Sequence, residues 1–222
     1  GGVGLAGVQL TYNSSVAEGN VSTAIFLQYL APLITALYVC VSTRKRPNKR
    51  LLFSLTIATG GLGLLLFGSG RGPASSPLGI VLGLLSAVFM SFYTVYGARG
   101  AHLYRPQTVL LWGSLAAFLV SALFYAPWRI LSEGLLASDW MFLGYMSVFA
   151  AIVPFFMFLS GLKTVPALQA IFVSMLEPVV ATFSAWLFLR EHLVPLQMLG
   201  GFLILLAVIT VETREKEKSG LV

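Results

Sequence analysis

Charge is scarce in this sequence, and so are the residues from which most metal and redox sites are built. Only 10% of the 222 residues are charged, and the chain has two histidines, one aspartate and a single cysteine, Cys40. One cysteine cannot form an intrachain disulfide, and without a cluster of cysteines and histidines no metal site is indicated. We therefore expect no cofactor, no metal ion and no redox chemistry.

The sequence is instead rich in apolar residues: 57% are hydrophobic, and the mean hydropathy is +0.87. This composition is typical of a chain whose main solvent is lipid. Apart from a shorter first run, the apolar runs are long enough for helical spans, and they lie near residues 1–12, 21–41, 51–67, 78–96, 109–125, 140–159, 167–189 and 196–211. Strands of a β-barrel would alternate apolar and polar residues, which these runs do not. The sequence predicts an all-α, polytopic membrane helix bundle with about eight helices.

The distribution of basic residues predicts how the chain is oriented. When the spans are threaded in order, 11 of the 14 lysines and arginines fall on one side, most densely at 44–50. By the positive-inside rule, that side and the tail at 214–222 are cytoplasmic. The 44–50 run reads as a juxtamembrane loop facing anionic lipid rather than as a nucleic-acid site. We expect an integral protein of the plasma (inner) membrane with a cytoplasmic C-terminus.

An internal repeat relates the two ends of the chain. Residues 6–44 align without a gap on 152–190 at a constant offset of 146, with Ala-Ile-Phe at 24–26 matching 170–172 and Pro32 matching Pro178. The second apolar run thus corresponds to the seventh, and because they are five spans apart the two copies must cross the membrane in opposite directions. An inverted repeat allows two bundles to expose one site alternately to each side of the membrane. We predict a transporter with a partial first repeat at 1–70 (three spans, truncated at its N-terminus), a five-span second repeat at 77–213 and a tail at 214–222.

Glu177 is the most informative residue, because it is a carboxylate directly before Pro178 inside an apolar run. Pro32 and Pro178 each remove a backbone donor, which leaves the carbonyls of Gln28 and Ser174 without their usual helical partners. The sequence therefore predicts a kink in each helix, either beside a wet cavity or against packed neighbours. Three roles stay open for Glu177: substrate contact, proton or ion coupling, and gating or structural hydrogen bonding.

Aromatic and polar residues complete the candidate site. Tyr29 and Tyr93 are favoured because a tyrosine hydroxyl within a span needs a hydrogen-bond partner. The other candidates are Phe155, Gln9, Tyr12, Tyr96, Trp112, Phe156 and Gln169.

Three stretches resemble the closing signature of EamA-type transporters in the drug/metabolite transporter superfamily: LEPVVA at 176–181, WLFLRE at 186–191 and PLQMLGGFLI at 195–204. Ser86, Ala87, Tyr93 and Arg99 resemble the opening helix of that family's second repeat. The resemblance implies a ten-helix secondary transporter of small organic metabolites, often an exporter, with two five-helix repeats around a central cavity and both termini cytoplasmic.

An enzyme is not expected. An intramembrane hydrolase needs a nucleophile with its base, or paired aspartates. His102 and His192 are assigned to loops, and Asp139 lies at a span boundary. The competing class is a structural or assembly membrane subunit that transports nothing. The expected partners are a small-molecule substrate and membrane lipid, with no nucleic acid; proton coupling and a homodimer stay open.

Overall fold

The computed structural model describes residues 2–44, 47, 49–70, 75–124, 134–189 and 192–219. In these residues the chain forms eight helical rods, three of which are interrupted. In chain order the elements are α1 (Gly2–Ala17), α2 (Val21–Gln28), α3 (Ala31–Thr43), α4 (Lys49–Phe67), α5 (Pro77–Leu103), α6 (Pro106–Ala122), α7 (Ala137–Tyr145), a π-helical segment (Met146–Ile152), α8 (Val153–Gly161), α9 (Ala167–Ser174), α10 (Leu176–Leu189) and α11 (Pro195–Ser219). Since α5 runs to Leu103, His102 lies in its last turn and not in a loop.

The described rods form an all-α polytopic membrane bundle. Five are long and apolar enough to cross a membrane by length and composition: Val21–Thr43, Lys49–Phe67, Pro77–Leu103, Ala137–Gly161 and Ala167–Phe188. Pro106–Ala122 and Pro195–Val211 are shorter apolar helices. Large apolar side chains stay exposed on the outside of the bundle, where lipid is their solvent, including Leu111 and Phe188.

The loop after α1 and the loop before α5 lie at the same end of the bundle. Gly19 and Ser75 form an isolated antiparallel bridge, and the Ser76 hydroxyl donates to the Glu18 carboxylate at 2.7 Å. Ser76 also caps α5, because its hydroxyl accepts from the Gly79 amide at 3.0 Å. The sequence-based threading requires these two loops to share one side of the membrane.

Two helices are interrupted just before a proline. The second rod breaks at Tyr29 and Leu30 and resumes as α3, with Pro32 in its first turn. The seventh rod breaks at Met175 and resumes as α10, with Pro178 in its first turn. Proline lacks the amide donor and clashes with the carbonyl four residues earlier, so a regular helix cannot continue through these positions.

Two glycines allow α4 and α11 to cross closely. A Cβ atom on Gly61 would stand 2.7 Å from the Gly200 carbonyl oxygen, and one on Gly200 would overlap the Leu65 amide nitrogen and the Gly61 carbonyl oxygen. Glycines permit this approach because packing, rather than water exclusion, holds helices together in lipid. The main apolar core surrounds the crossing and contains Leu55, Ala58, Leu62, Phe172, Met175, Ile204 and Ala207.

This crossing gives a test of the packing. Gly200→Ala places a methyl group against α4 backbone atoms, which cannot move aside as a side chain can, so we expect a loss of about 1–3 kcal/mol of stability. Gly60→Ala is the matched control, because no atom lies within 4 Å of its added Cβ. Thermal unfolding of both variants in detergent checks the prediction, and equal melting temperatures would show that α4 and α11 do not cross here.

Candidate functional site

A cavity of about 540 Å³ opens between the interrupted helices. This volume lies in the range of small-molecule sites. The structure places all eight site residues predicted from the sequence on its wall: Glu177, Gln28, Tyr29, Tyr93, Ser174, Phe155, Pro32 and Pro178. Both prolines are buried, whereas the Glu177 side chain is exposed to the open cavity.

Positions related by the sequence repeat line this cavity together. Fourteen of the lining residues form seven pairs at the offset of 146: Val8 with Pro154, Gln9 with Phe155, Tyr12 with Phe158, Ile25 with Ile171, Gln28 with Ser174, Ala31 with Glu177, and Pro32 with Pro178. The members of a pair differ in chemistry. Gln9 and Tyr12 correspond to the phenylalanines Phe155 and Phe158, and only one copy carries the acid. A cavity built from equivalent positions is expected where two repeats meet.

The carboxylate of Glu177 joins the two interrupted helices. The Tyr29 hydroxyl, from the break between α2 and α3, donates to Glu177 Oε2 at 2.6 Å. A hydrogen bond to a charged acceptor is short and about twice as strong as a neutral one. Glu177 lies in the first turn of α10, where the helix dipole favours a negative charge. Oε1 has no protein partner in the described part of the chain.

A third proline on the cavity wall lies beside an irregular segment of its helix. Pro154 follows the π-helical segment Met146–Ile152, and the residue four positions earlier is Ala150. Both Ala150 and Pro154 line the cavity, as do Gln28 with Pro32 and Ser174 with Pro178. Pro32 and Pro178 each deprive one carbonyl of its helical donor, so the cavity wall carries backbone polarity that apolar side chains alone would not supply.

An aromatic cluster forms another part of the wall. The Tyr93 ring meets Phe155 edge-on, with centroids 5.9 Å apart, and lies nearly parallel to Phe158 at 6.2 Å. Tyr93 is only 4% exposed, and its hydroxyl has no hydrogen-bond partner among the described residues. A buried hydroxyl left unpaired costs about 1–3 kcal/mol.

Several residues named from the sequence lie elsewhere, and others were missed. Gln9 and Tyr12 line the cavity, whereas Tyr96, Trp112, Phe156 and Gln169 do not. The missed residues include Met90, Ala150, Pro154 and Phe158. Pro154 had an available signal, because it is a proline inside an apolar run, as Pro32 and Pro178 are.

In the described residues, eight helical rods enclose a cavity beside proline-interrupted helices that carry one carboxylate, an arrangement expected of proteins that move small molecules across membranes. Residues 77–213 match the EamA-like transporter family. The chain belongs to this family and is a membrane transporter, not an enzyme.

Relatives are similar over nearly the whole chain. An uncharacterized inner membrane transporter, YicL of Salmonella typhimurium, is 27% identical over 98% of this chain and 72% of its own length. The threonine/homoserine exporter RhtA of Escherichia coli K12 is 26% identical over 97% of this chain and 71% of its own. The uncharacterized transporter YwfM of Bacillus subtilis is 24% identical over 85% of this chain and 63% of its own.

The fold is also similar to that of a solved crystal structure. It aligns at a TM-score of 0.77 and 22% identity, covering 93% of this chain and 74% of that chain.

Proposed function

We propose that the protein is a secondary transporter, an exporter or exchanger, that carries a small organic metabolite by alternating access. The observation that carries this proposal is the set of seven repeat-related pairs lining one cavity. If the two repeats are inverted, a change in one repeat is mirrored in the other, and the shared cavity opens to opposite sides in turn.

The interrupted helices supply places for such a change. The breaks before Pro32 and Pro178 lie on the cavity wall, and the Tyr29 to Glu177 bond ties one broken helix to the other. Breaking or keeping that bond would change how the two helices pack against each other. Short irregular segments of this kind absorb the dihedral changes of a hinge.

The similarity to RhtA, named a threonine/homoserine exporter, supports a solute of amino-acid size. The cavity of about 540 Å³ is compatible with that size. Counterflow in proteoliposomes tests the proposal: vesicles loaded with an unlabelled solute should take up the labelled form, across a panel of amino acids and amines. If no panel member exchanges above the level of protein-free vesicles, the proposal is overturned.

The proposal includes a cytoplasmic C-terminus, which predicts the side on which each end of the sixth rod lies. In a Cys40→Ser background, Ser138→Cys should react with an impermeant maleimide in intact cells, and Thr164→Cys only after permeabilisation. Both positions are exposed: Ser138 lies in the first turn of the rod that runs from Ala137 to Gly161, and Thr164 lies just after its other end. Because the rod is the same in both variants, each serves as the control for the other. Labelling of Thr164→Cys in intact cells would reverse the orientation.

A further inference from the structure

We propose that the cavity selects solutes that carry a cationic amine attached to an apolar, preferably aromatic, body and that lack a carboxylate. This inference rests on the proposed transport function and specifies the substrate class. It is argued from the charge of the cavity wall, from the hydrogen-bonding groups that the described lining residues offer a solute, and from the aromatic cluster.

The charge of the wall favours a cation. Among the described lining residues Glu177 is the one charged side chain, and none is lysine, arginine or histidine. An acid in a membrane cavity needs a partner, because a lone charge is costly in a low-dielectric surrounding. Tyr29 fills one side of the carboxylate, whereas Oε1 has no protein partner in the described chain. A primary ammonium group offers three donors to such an acceptor.

A carboxylate on the solute would lack a comparable partner. The N-terminus of α3 faces the same cavity, since Ala31 and Pro32 line it, but Pro32 has no amide donor, and the Leu33 and Ile34 amides already donate to the Leu30 carbonyl at 3.0 and 3.3 Å. Only the neutral amides of Gln9 and Gln28 are left as nitrogen donors among the lining side chains. The wall therefore favours an amine over the corresponding amino acid, and disfavours an acid most of all.

The aromatic cluster of Tyr93, Phe155 and Phe158 provides a surface for the body of the solute. Edge-on and stacked ring pairs of this kind accept a further aromatic ring. The cluster and the carboxylate line the same cavity, so one small molecule is able to meet both.

Three ligands that differ by one group test the inference on the whole chain in detergent: 2-phenylethylamine, L-phenylalanine and 3-phenylpropionate. Isothermal titration should give 2-phenylethylamine the tightest binding, by about tenfold over phenylalanine, a factor that corresponds to about 1.4 kcal/mol. Phenylpropionate should bind most weakly. If phenylalanine or phenylpropionate binds as tightly as the amine, or if the amine does not bind, the inference is overturned.

The variants identify the group responsible. Glu177→Gln should weaken amine binding by about tenfold or more and should strengthen phenylpropionate binding, because the like charge that repels its carboxylate is removed. Glu18→Gln, which alters the exposed carboxylate of the Glu18–Ser76 pair, should leave all three affinities unchanged. An amine preference that survives Glu177→Gln contradicts the inference, and if that variant fails to fold, the ligand series on the unmodified chain decides.

The outcomes also separate this inference from the transport proposal. Exchange of solutes in proteoliposomes without an amine preference would overturn the proposed substrate class but would still support the proposed transport function. If the amine binds in a way that depends on Glu177 but no solute is exchanged, the proposed transport function is overturned and the proposed amine-binding site is supported.

Discussion

Ser174→Trp is expected to reduce solute exchange by on the order of tenfold or more, which corresponds to at least about 1.4 kcal/mol of barrier. Ser174 lines the cavity, and its hydroxyl donates to the Ala170 carbonyl at 3.1 Å within α9. The indole would occupy space that the solute needs, at a position where one interrupted helix ends.

The control places the same side chain on lipid. Val180 lies on α10, is 61% exposed and does not line the cavity. Val180→Trp should therefore exchange solute at the unmodified rate, and both variants should elute as folded protein in size-exclusion chromatography. Normal exchange by a folded Ser174→Trp variant would mean that the solute takes another route.

If Glu177 couples proton movement to transport, Glu177→Gln should abolish accumulation driven by a pH gradient while exchange continues at saturating solute. Glutamine keeps the size of the side chain and an oxygen that accepts from Tyr29, but it cannot bind or release a proton. A residue that couples proton movement to transport should lose the coupled process on this change, whereas exchange persists once the solute saturates the weakened site. The measurement is uptake into proteoliposomes, with and without an imposed gradient.

A second substitution distinguishes coupling from a structural role. Glu177→Ala leaves the Tyr29 hydroxyl without its acceptor and removes a hydrogen bond between the two interrupted helices, worth about 0.5–1.5 kcal/mol, so stability as well as coupling should fall. If the glutamine variant instead keeps the pH dependence of the unmodified protein and only alanine is harmful, Glu177 acts through its hydrogen bond at the helix break.

The class of the fold and the broad position of the site were predictable from the sequence because they depend on strong local signals. Apolar runs of spanning length predict helices, and a proline inside such a run interrupts one. The offset of 146 pairs Pro32 with Pro178 and Gln28 with Ser174, and the structure brings all four to one cavity.

The face that each helix presents was not predictable in the same way. In lipid both the outer and the inner faces of a helix are apolar, so hydropathy does not distinguish them. Tyr93 and Tyr96 are one turn apart on α5, yet Tyr93 is 4% exposed and lines the cavity, whereas Tyr96 is 40% exposed and packs against Phe92. Residue type alone had suggested both tyrosines as candidate site residues.

The pairing of Tyr29 with Glu177 was also beyond the sequence. Under the repeat, Tyr29 corresponds to Met175 and Glu177 to Ala31, so their hydrogen bond joins positions that are not equivalent. It depends on how far two side chains reach across the cavity, which the repeat does not specify.

The most direct test of the central claim is the accessibility of the cavity from each side of the membrane. Gln28 lines the cavity, and Leu37, on the same interrupted rod, is 66% exposed toward the outside of the bundle. In a Cys40→Ser background, Gln28→Cys should react with an impermeant maleimide in right-side-out and in inside-out vesicles, and Leu37→Cys in neither. Reaction of Gln28→Cys from one side only, or from neither, would contradict a cavity that opens to both sides in turn.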